Sequence, residues 1–237
     1  MAKRKTLDIV VAPLILRRIK PLTINQSDTF KAFHRGDHLL LHGVAGTGKT
    51  FISLNLALML TLPTPTQTLP LYDKVIIVRS VVPSREIGFM PGTLKEKIAV
   101  YEDPYRDICN DLLERADGYE HLKGRGSLKF TTTSYLRGVT FSDAIIIVDE
   151  MQNMSYHELH TIITRMGKNC RLIFCGDYRQ SDLQRHDERT GLGHFMEILR
   201  DMGKFCCIEF GTQDIVRDDL VKDFLIAETS YRERCPF

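Results

Sequence analysis

Short, uninterrupted apolar runs alternate with longer mixed stretches along this chain. The runs 38-HLLLHG-43, 74-KVIIVRS-80, 144-AIIIVDE-150, 171-RLIFCG-176 and 205-FCCIEF-210 have the length of strands, and 127-SLKFTTT-133 reads as another. Between them, Phe30 and Phe33 with a stop at Gly36 predict a short helix. Helical pieces follow over 93–115, broken near Pro104, and further helices over 155–166, 191–202 and 216–228. The stretch 49-KTFISLNLALMLTL-62 reads two ways. Leu54, Leu56, Leu58 and Leu60 alternate like a strand, while Ile52, Leu56, Met59 and Leu60 form a helical stripe. Its length and the glycine-rich loop before it predict a helix buried on several sides. The prolines of 62-LPTPTQTLP-70 then make a connector. Strands apolar throughout, alternating with helices, predict an α/β fold: a mostly parallel sheet covered by helices on both faces.

Against that pattern one loop stands out. The segment 43-GVAGTGKTF-51 fits G-x-x-x-x-G-K-[ST] through Gly43, Gly48, Lys49 and Thr50, with Val44, Ala45, Gly46 and Thr47 between. Its glycines let backbone N–H groups converge on phosphate oxygens, and the helix that follows adds its positive end. Lys49 is placed to reach the β- and γ-phosphates and the Thr50 hydroxyl to ligate Mg²⁺. A flexible turn would need neither the strand before the loop nor the helix after it.

Two strand ends extend the site. The run 145-IIIVDE-150 finishes in two acids: Asp149 to hold the water shell of the cation, and Glu150 to orient or deprotonate an attacking water. Alone, such a pair also fits a strand running out into a polar turn; beside the phosphate loop it reads as a hydrolytic site. Polar residues at strand carboxyl ends face the ligand crevice of an α/β sheet. Gln180, after 171-RLIFCGD-177, is therefore a candidate sensor of the γ-phosphate or the water, with an ordinary surface turn as the other reading.

Charge is divided unevenly. Residues 1–20 carry six Lys/Arg against one Asp, a net +5, which leaves −3 for the rest of a chain whose total is +2. This predicts a basic N-terminal arm over 1–20 ahead of a single domain over 21–237. The arm's apolar part is short, interrupted by Pro13 and lacks a small-residue cleavage site, so no secretory leader is expected. A second basic stretch, 121–140, holds Lys123, Arg125, Lys129 and Arg137 without an acid. It fits a solvated face or contact with a polyanion, and Tyr119 and Phe130 nearby fit either base stacking or the core. The six cysteines show no C-x-x-C spacing, which predicts free thiols, a reducing cytoplasm and no structural zinc. No apolar run is long enough for a membrane span.

Taken in order, 25-NQ-26, GVAGTGKT, 87-IGFMPGTLKEKI-98, 135-YLRG-138, 148-VDEMQN-153, 162-IITRMG-167, 176-GDYRQSDL-183, 191-GL-192 and 214-DIVRDDLV-221 resemble the PhoH-like ATPases, a P-loop family related to superfamily 1 helicase cores. The resemblance runs from about residue 21 to 228; Met151 stands where the family more often has alanine. It implies a three-layer RecA-like core, ATP with Mg²⁺, a cytoplasmic location, and RNA or single-stranded DNA as partner. It also implies that Gln26 contacts the adenine edge and that Gln152 and Gln180 couple the γ-phosphate to movement. One lobe lacks the arginine a second lobe would supply, so a homo-oligomeric ring, such as a hexamer, is expected to provide one in trans. Of Arg137, Arg165, Arg179 and Arg217, the choice falls on Arg165 and Arg217. The alternative function is an ATP-dependent switch acting on a protein partner. A small-molecule kinase fits poorly, since Glu150 and Gln180 suit an attacking water.

Overall fold

The computed structural model describes residues 14–63, 68–80, 94–177 and 186–234. Six strands form one sheet: β1 (His38–Gly43), β2 (Lys74–Arg79), β3 (Leu128–Thr132), β4 (Ala144–Asp149), β5 (Cys170–Gly176) and β6 (Phe205–Phe210). Their spatial order is β3-β2-β4-β5-β1-β6, and every neighbouring pair is parallel. A parallel sheet has to be covered on both faces, and this one is. Side chains alternate along β1: Leu39 and Leu41 enter one core, Leu40 the other. The first core is closed by α1 (Ile24–Arg35), α2 (Lys49–Thr61), α3 (Leu94–Leu112) and α4 (Gly118–Gly124), the second by α5 (Tyr156–Thr164) and α6 (His186–Asp201). The expected three-layer α/β architecture is the observed one.

The double reading of 49–62 has a simple origin. Leu54, Leu56, Ala57 and Leu58 of α2 are all fully buried, as are Ser53 and Asn55, so no polar face marks the helical period. Four helices depart from expectation. Instead of breaking at Pro104, α3 runs through it. The carbonyl that loses its donor is that of Val100, 48% exposed, where water can replace the missing N–H. The short helix α4 was not anticipated, and α6 begins at His186, before the 191 expected from sequence. The last helix, α7 (Asp219–Arg234), starts later than the predicted 216 and leaves Leu220 and Phe224 exposed.

Residues 14–20 carry no regular secondary structure but are packed. Leu14 is buried in the first core, the Arg17 N–H donates to Leu112 O at 2.8 Å, and the Arg17 guanidinium pairs with Asp111. No helix among the described residues is long and apolar enough to cross a membrane.

Candidate functional site

The carboxyl ends of β1, β4 and β5 bring three chain segments to one cleft. At the tip of β1 the chain must pass close to β6: a Cβ on Gly43 would sit 2.1 Å from Phe210 O, so only glycine fits. The Val44 N–H then donates to Phe210 O at 2.9 Å, fixing the loop's first turn. At its far end Gly48 takes φ 81°, a left-handed value that glycine adopts without cost, and starts α2. The loop is closed on itself by Thr47 Oγ1, which donates to Val44 O at 3.0 Å. Lys49 Nζ donates to Gly43 O at 2.8 Å and Val44 O at 2.7 Å, with Thr47 Oγ1 at 3.3 Å. Burial lowers the pKa of this ammonium from the ordinary lysine value, opposed first by the charge of Asp177.

Asp149, the last residue of β4, is 5% exposed and meets two hydroxyls. Thr50 Oγ1 donates to its Oδ1 at 2.9 Å and the Tyr105 phenol donates to its Oδ2 at 2.8 Å. Burial and then the neighbouring Glu150 push the Asp149 pKa above the usual carboxylate range, while the two hydroxyls and Arg79 pull it down. Glu150 itself has φ 53°, a left-handed conformation that costs a side-chain-bearing residue about 1 kcal/mol or more. That turn lets the chain leave β4 abruptly, and Gln152 locks it: its Nε2 donates to Glu150 Oε2 at 2.5 Å and its Oε1 accepts from the Asp177 N–H at 3.0 Å. The approach requires glycine at position 176, where a Cβ would lie 2.5 Å from Gln152 Oε1. One carboxamide thus ties the tip of β4 to the tip of β5.

The cleft has a volume of about 870 Å³ and is lined by Gly46, Gly48, Lys49, Thr50, Asp149, Glu150 and Gln152 together with Gln26 and Arg217. Gln26 is buried at 3% exposure and both ends of its amide are used: Oε1 accepts from the Leu22 N–H and Nε2 donates to Thr47 O. It acts as a strut between the N-terminal stretch and the loop. Arg217 lies over its own loop, since the Val216 N–H donates to Gly46 O at 3.1 Å and a Cβ on Gly46 would be 3.1 Å from Arg217 Cγ. Arg165 ends α5 at the opposite, amino edge of the sheet, where its carbonyl accepts from the Phe141 N–H. Gln180 and Arg179 lie outside the described residues. Tyr119 and Phe130 are core residues, and Lys123 is paired with Glu102 at 2.6 Å, so neither aromatic offers a stacking face and one basic group of 121–140 is already partnered. Arg79 and Tyr105 are among the cleft residues that went unanticipated. Arg79, at the tip of β2, stands in register with Asp149; Tyr105 arrives from α3.

The donor set suits Mg²⁺. Among the described residues no group of three or more His, Cys, Asp or Glu is arranged to cage a metal. Thr50 and Asp149, 2.9 Å apart, would supply the sparse protein contribution that Mg²⁺ takes when phosphates and waters complete its shell.

The family model described as PhoH-like protein matches residues 18–228. A curated PhoH-like protein from Mycobacterium leprae (strain TN) is 31% identical over 230 residues, covering 95% of this chain and 64% of that one. Another, from Bacillus subtilis (strain 168), is 33% identical over 212 residues, covering 89% and 64%. Protein PhoH of Escherichia coli (strain K12) is 31% identical over 199 residues, covering 83% and 54%. The chain therefore spans a little under two-thirds of the length of the first two relatives. In backbone shape, the large terminase of a thermophilic bacteriophage aligns over 86% of this chain and 50% of that one, with a TM-score of 0.49 and 11% identity. Bacteroides Pif1 bound to ssDNA aligns over 82% and 42%, with a TM-score of 0.41 and 14% identity. With the family model matching nearly the whole chain and relatives above 30% identity over most of it, this chain belongs to the PhoH-like protein family.

Proposed function

We propose that this chain binds ATP with Mg²⁺ in the cleft above β1 and hydrolyses it, and that hydrolysis drives remodelling of, or translocation on, RNA or single-stranded DNA. The observation that carries the reading is the 2.9 Å hydrogen bond from Thr50 to Asp149, which joins the phosphate loop to the acid strand. In the proposed mechanism the loop N–H groups and the amino end of α2 bind the phosphates. Lys49, held at the loop's mouth, turns its ammonium from the carbonyls of Gly43 and Val44 to a phosphate oxygen. The cation, when bound, supplies charge neutralisation at the phosphates, with Thr50 and Asp149 to hold it. Glu150 takes a proton from the attacking water, and the strained backbone that presents its carboxylate supports that role. Gln152 relays the state of Glu150 to the strand end at Asp177; the sensing role of Gln180 remains part of the proposal on sequence alone.

The same reading makes the chain a homo-oligomeric ring such as a hexamer, with Arg165 serving a neighbouring site and Arg217 its own loop. The described cysteines, 109, 170, 175, 206 and 207, are all free, which suits a reducing cytoplasm. Steady-state ATPase measured with a panel of RNA and DNA tests the proposal. Stimulation that fades with added salt is expected, because phosphate contacts release counterions. Absence of stimulation by every polynucleotide at low salt overturns the nucleic-acid half. One feature favours the protein-partner alternative: α7 exposes Leu220 at 83% and Phe224 at 65%, four residues apart on one helical face. Under that alternative, a pulldown returns a protein without nucleic acid.

A further inference from the structure

The Asp149 carboxylate is held from two sides by parts of the chain with different origins. Thr50 belongs to the phosphate loop's own helix, so its contact at Oδ1 comes with the loop. Tyr105 belongs to α3, a helix inserted between β2 and β3, and takes Oδ2. Its placement is fixed by packing. The ring is 1% exposed and lies 5.6 Å from the Phe130 ring of β3. The helix is braced at two other points: Glu102 accepts from Tyr119 and Lys123 of α4, and Asp111 binds Arg17. A buried phenol needs an acceptor, and many acceptors would satisfy it. Here its single proton goes to the one carboxylate that Thr50 also holds, and the neighbouring side chains Pro104 and Ile108 line the same cleft.

We infer that Tyr105 is a positioning residue for the divalent cation, fixing the Asp149 carboxylate in the orientation that leaves its remaining lone pairs facing the cleft, so that cation affinity is set from α3. This rests on the nucleotide–Mg²⁺ reading above. Phenylalanine at 105 would keep the ring's place against Phe130 and remove the hydroxyl, which donates to Asp149 and is also a hydrogen-bond partner of Arg79. Groups that orient a metal ligand typically control metal affinity by about 10–100-fold.

The experiment titrates Mg²⁺ into wild type and Tyr105→Phe with a fluorescent ADP analogue bound, and repeats the titration with Mn²⁺ followed by electron paramagnetic resonance. Tyr105→Phe is expected to raise the half-saturating Mg²⁺ and Mn²⁺ concentrations about tenfold or more, while its affinity for the analogue in chelator stays within about twofold of wild type. A merely structural role would lower thermal stability and leave the cation midpoint in place. Phe130→Leu is the second variant; it keeps the hydroxyl but loosens the ring's seat, and a smaller shift of the midpoint in the same direction is expected even if Tyr105→Phe fails to fold. Equal midpoints in wild type and folded Tyr105→Phe, or in wild type and Phe130→Leu if Tyr105→Phe does not fold, overturn the inference alone. Absence of any Mg²⁺-dependent binding in wild type overturns the nucleotide reading with it.

Discussion

Lys49 and Arg171 are two cations drawn into the protein at opposite ends of the same sheet, and they are used in opposite ways. Arg171, at the amino end of β5, is 5% exposed and spends its donors on the carbonyls of Phe33 and Asp37, where α1 ends. Its guanidinium lies 3.8 Å from the centre of the Phe33 ring. The Phe33 carbonyl, in the last turn of α1, also accepts from the Gly36 N–H, and the Asp37 carbonyl lies just past the helix, so a flat, always-charged fork ties the helix end to the chain that leaves it. Lys49, at the carboxyl end beyond β1, also donates to backbone carbonyls, but it faces a cleft in which Asp149, Glu150 and Asp177 act on it. One cation closes a helix; the other is presented. Arg171 is buried and Lys49 half-buried, but that difference does not set their roles. What does is the end of the sheet each occupies, because only the carboxyl ends of parallel strands open into a crevice.

The sharpest way to break the comparison is to remove each cation. Lys49→Ala is expected to reduce ATP affinity by about 100-fold or more, since it deletes the only charge-assisted contact that the loop's own side chains offer the phosphates. Its melting temperature should fall only modestly, because Val44 O keeps the Thr47 hydroxyl as a donor. Isothermal titration with ATP and Mg²⁺ checks the first expectation and thermal unfolding the second. Glu150→Gln comes next. It should keep nucleotide binding and lose about 10²–10⁴-fold in turnover, the range expected for a general base. Near-normal turnover in Glu150→Gln would remove that assignment.

Arg165 provides a test between subunits. If its guanidinium completes a neighbour's site, Arg165→Ala and Glu150→Gln are each slow alone, yet mixing them should restore part of the ATPase, because a mixed ring contains interfaces with one intact Glu150 and one intact Arg165. The same mixture made with Arg217→Ala should restore none, since Arg217 serves the loop of its own chain. Recovery in neither mixture would leave the ring without a trans arginine among these two. Arg171→Met then gives the complementary result to Lys49→Ala. Asp37 O loses the Arg171 donor and Phe33 O is left with the Gly36 N–H alone, at a cost of about 1–3 kcal/mol in stability, and ATP affinity should change little.

The residues that sequence made legible are those whose role is local. The phosphate loop announces itself through glycine spacing, and the apolar runs fix β1, β4 and β5 because a strand buried on both faces has no polar period to confuse. That Glu150 and Lys49 come to one cleft was readable for that reason. Arg79 carried the same signal as Glu150, a charged residue at the tip of an apolar strand, and the rule that strand carboxyl ends face the crevice was sufficient to find it. Tyr105 carried none. Its hydroxyl reaches Asp149 only because α3 is packed against β3 and α4, a relation set by contacts far apart in the chain. Gln26 was legible by position, but its internal partners were not: that both ends of its amide are engaged within the protein depends on where Leu22 and Thr47 come to lie. Pro104 misled because its cost depends on whether the freed carbonyl meets water, which composition does not tell.

The gentlest test leaves every side chain in place and changes only pH. Under the proposed function, Mg²⁺-dependent nucleotide binding needs Asp149 charged and Lys49 charged. Burial and Glu150 raise the Asp149 pKa, so its carboxylate takes up a proton at a higher pH than an exposed aspartate would. Binding should therefore fall on the acid side while ordinary surface carboxylates are still ionised. Burial lowers the Lys49 pKa, so its charge is lost before that of exposed lysines as pH rises. The result is a bell narrower on both limbs than two unperturbed groups would give. Added Mg²⁺ should move the acid limb to lower pH, because cation and proton compete for the same carboxylate, and leave the alkaline limb in place. At the other end of the sheet Arg171 keeps its charge throughout this range, so helix α1 should hold its melting temperature across pH values at which the cleft has already lost its ligand.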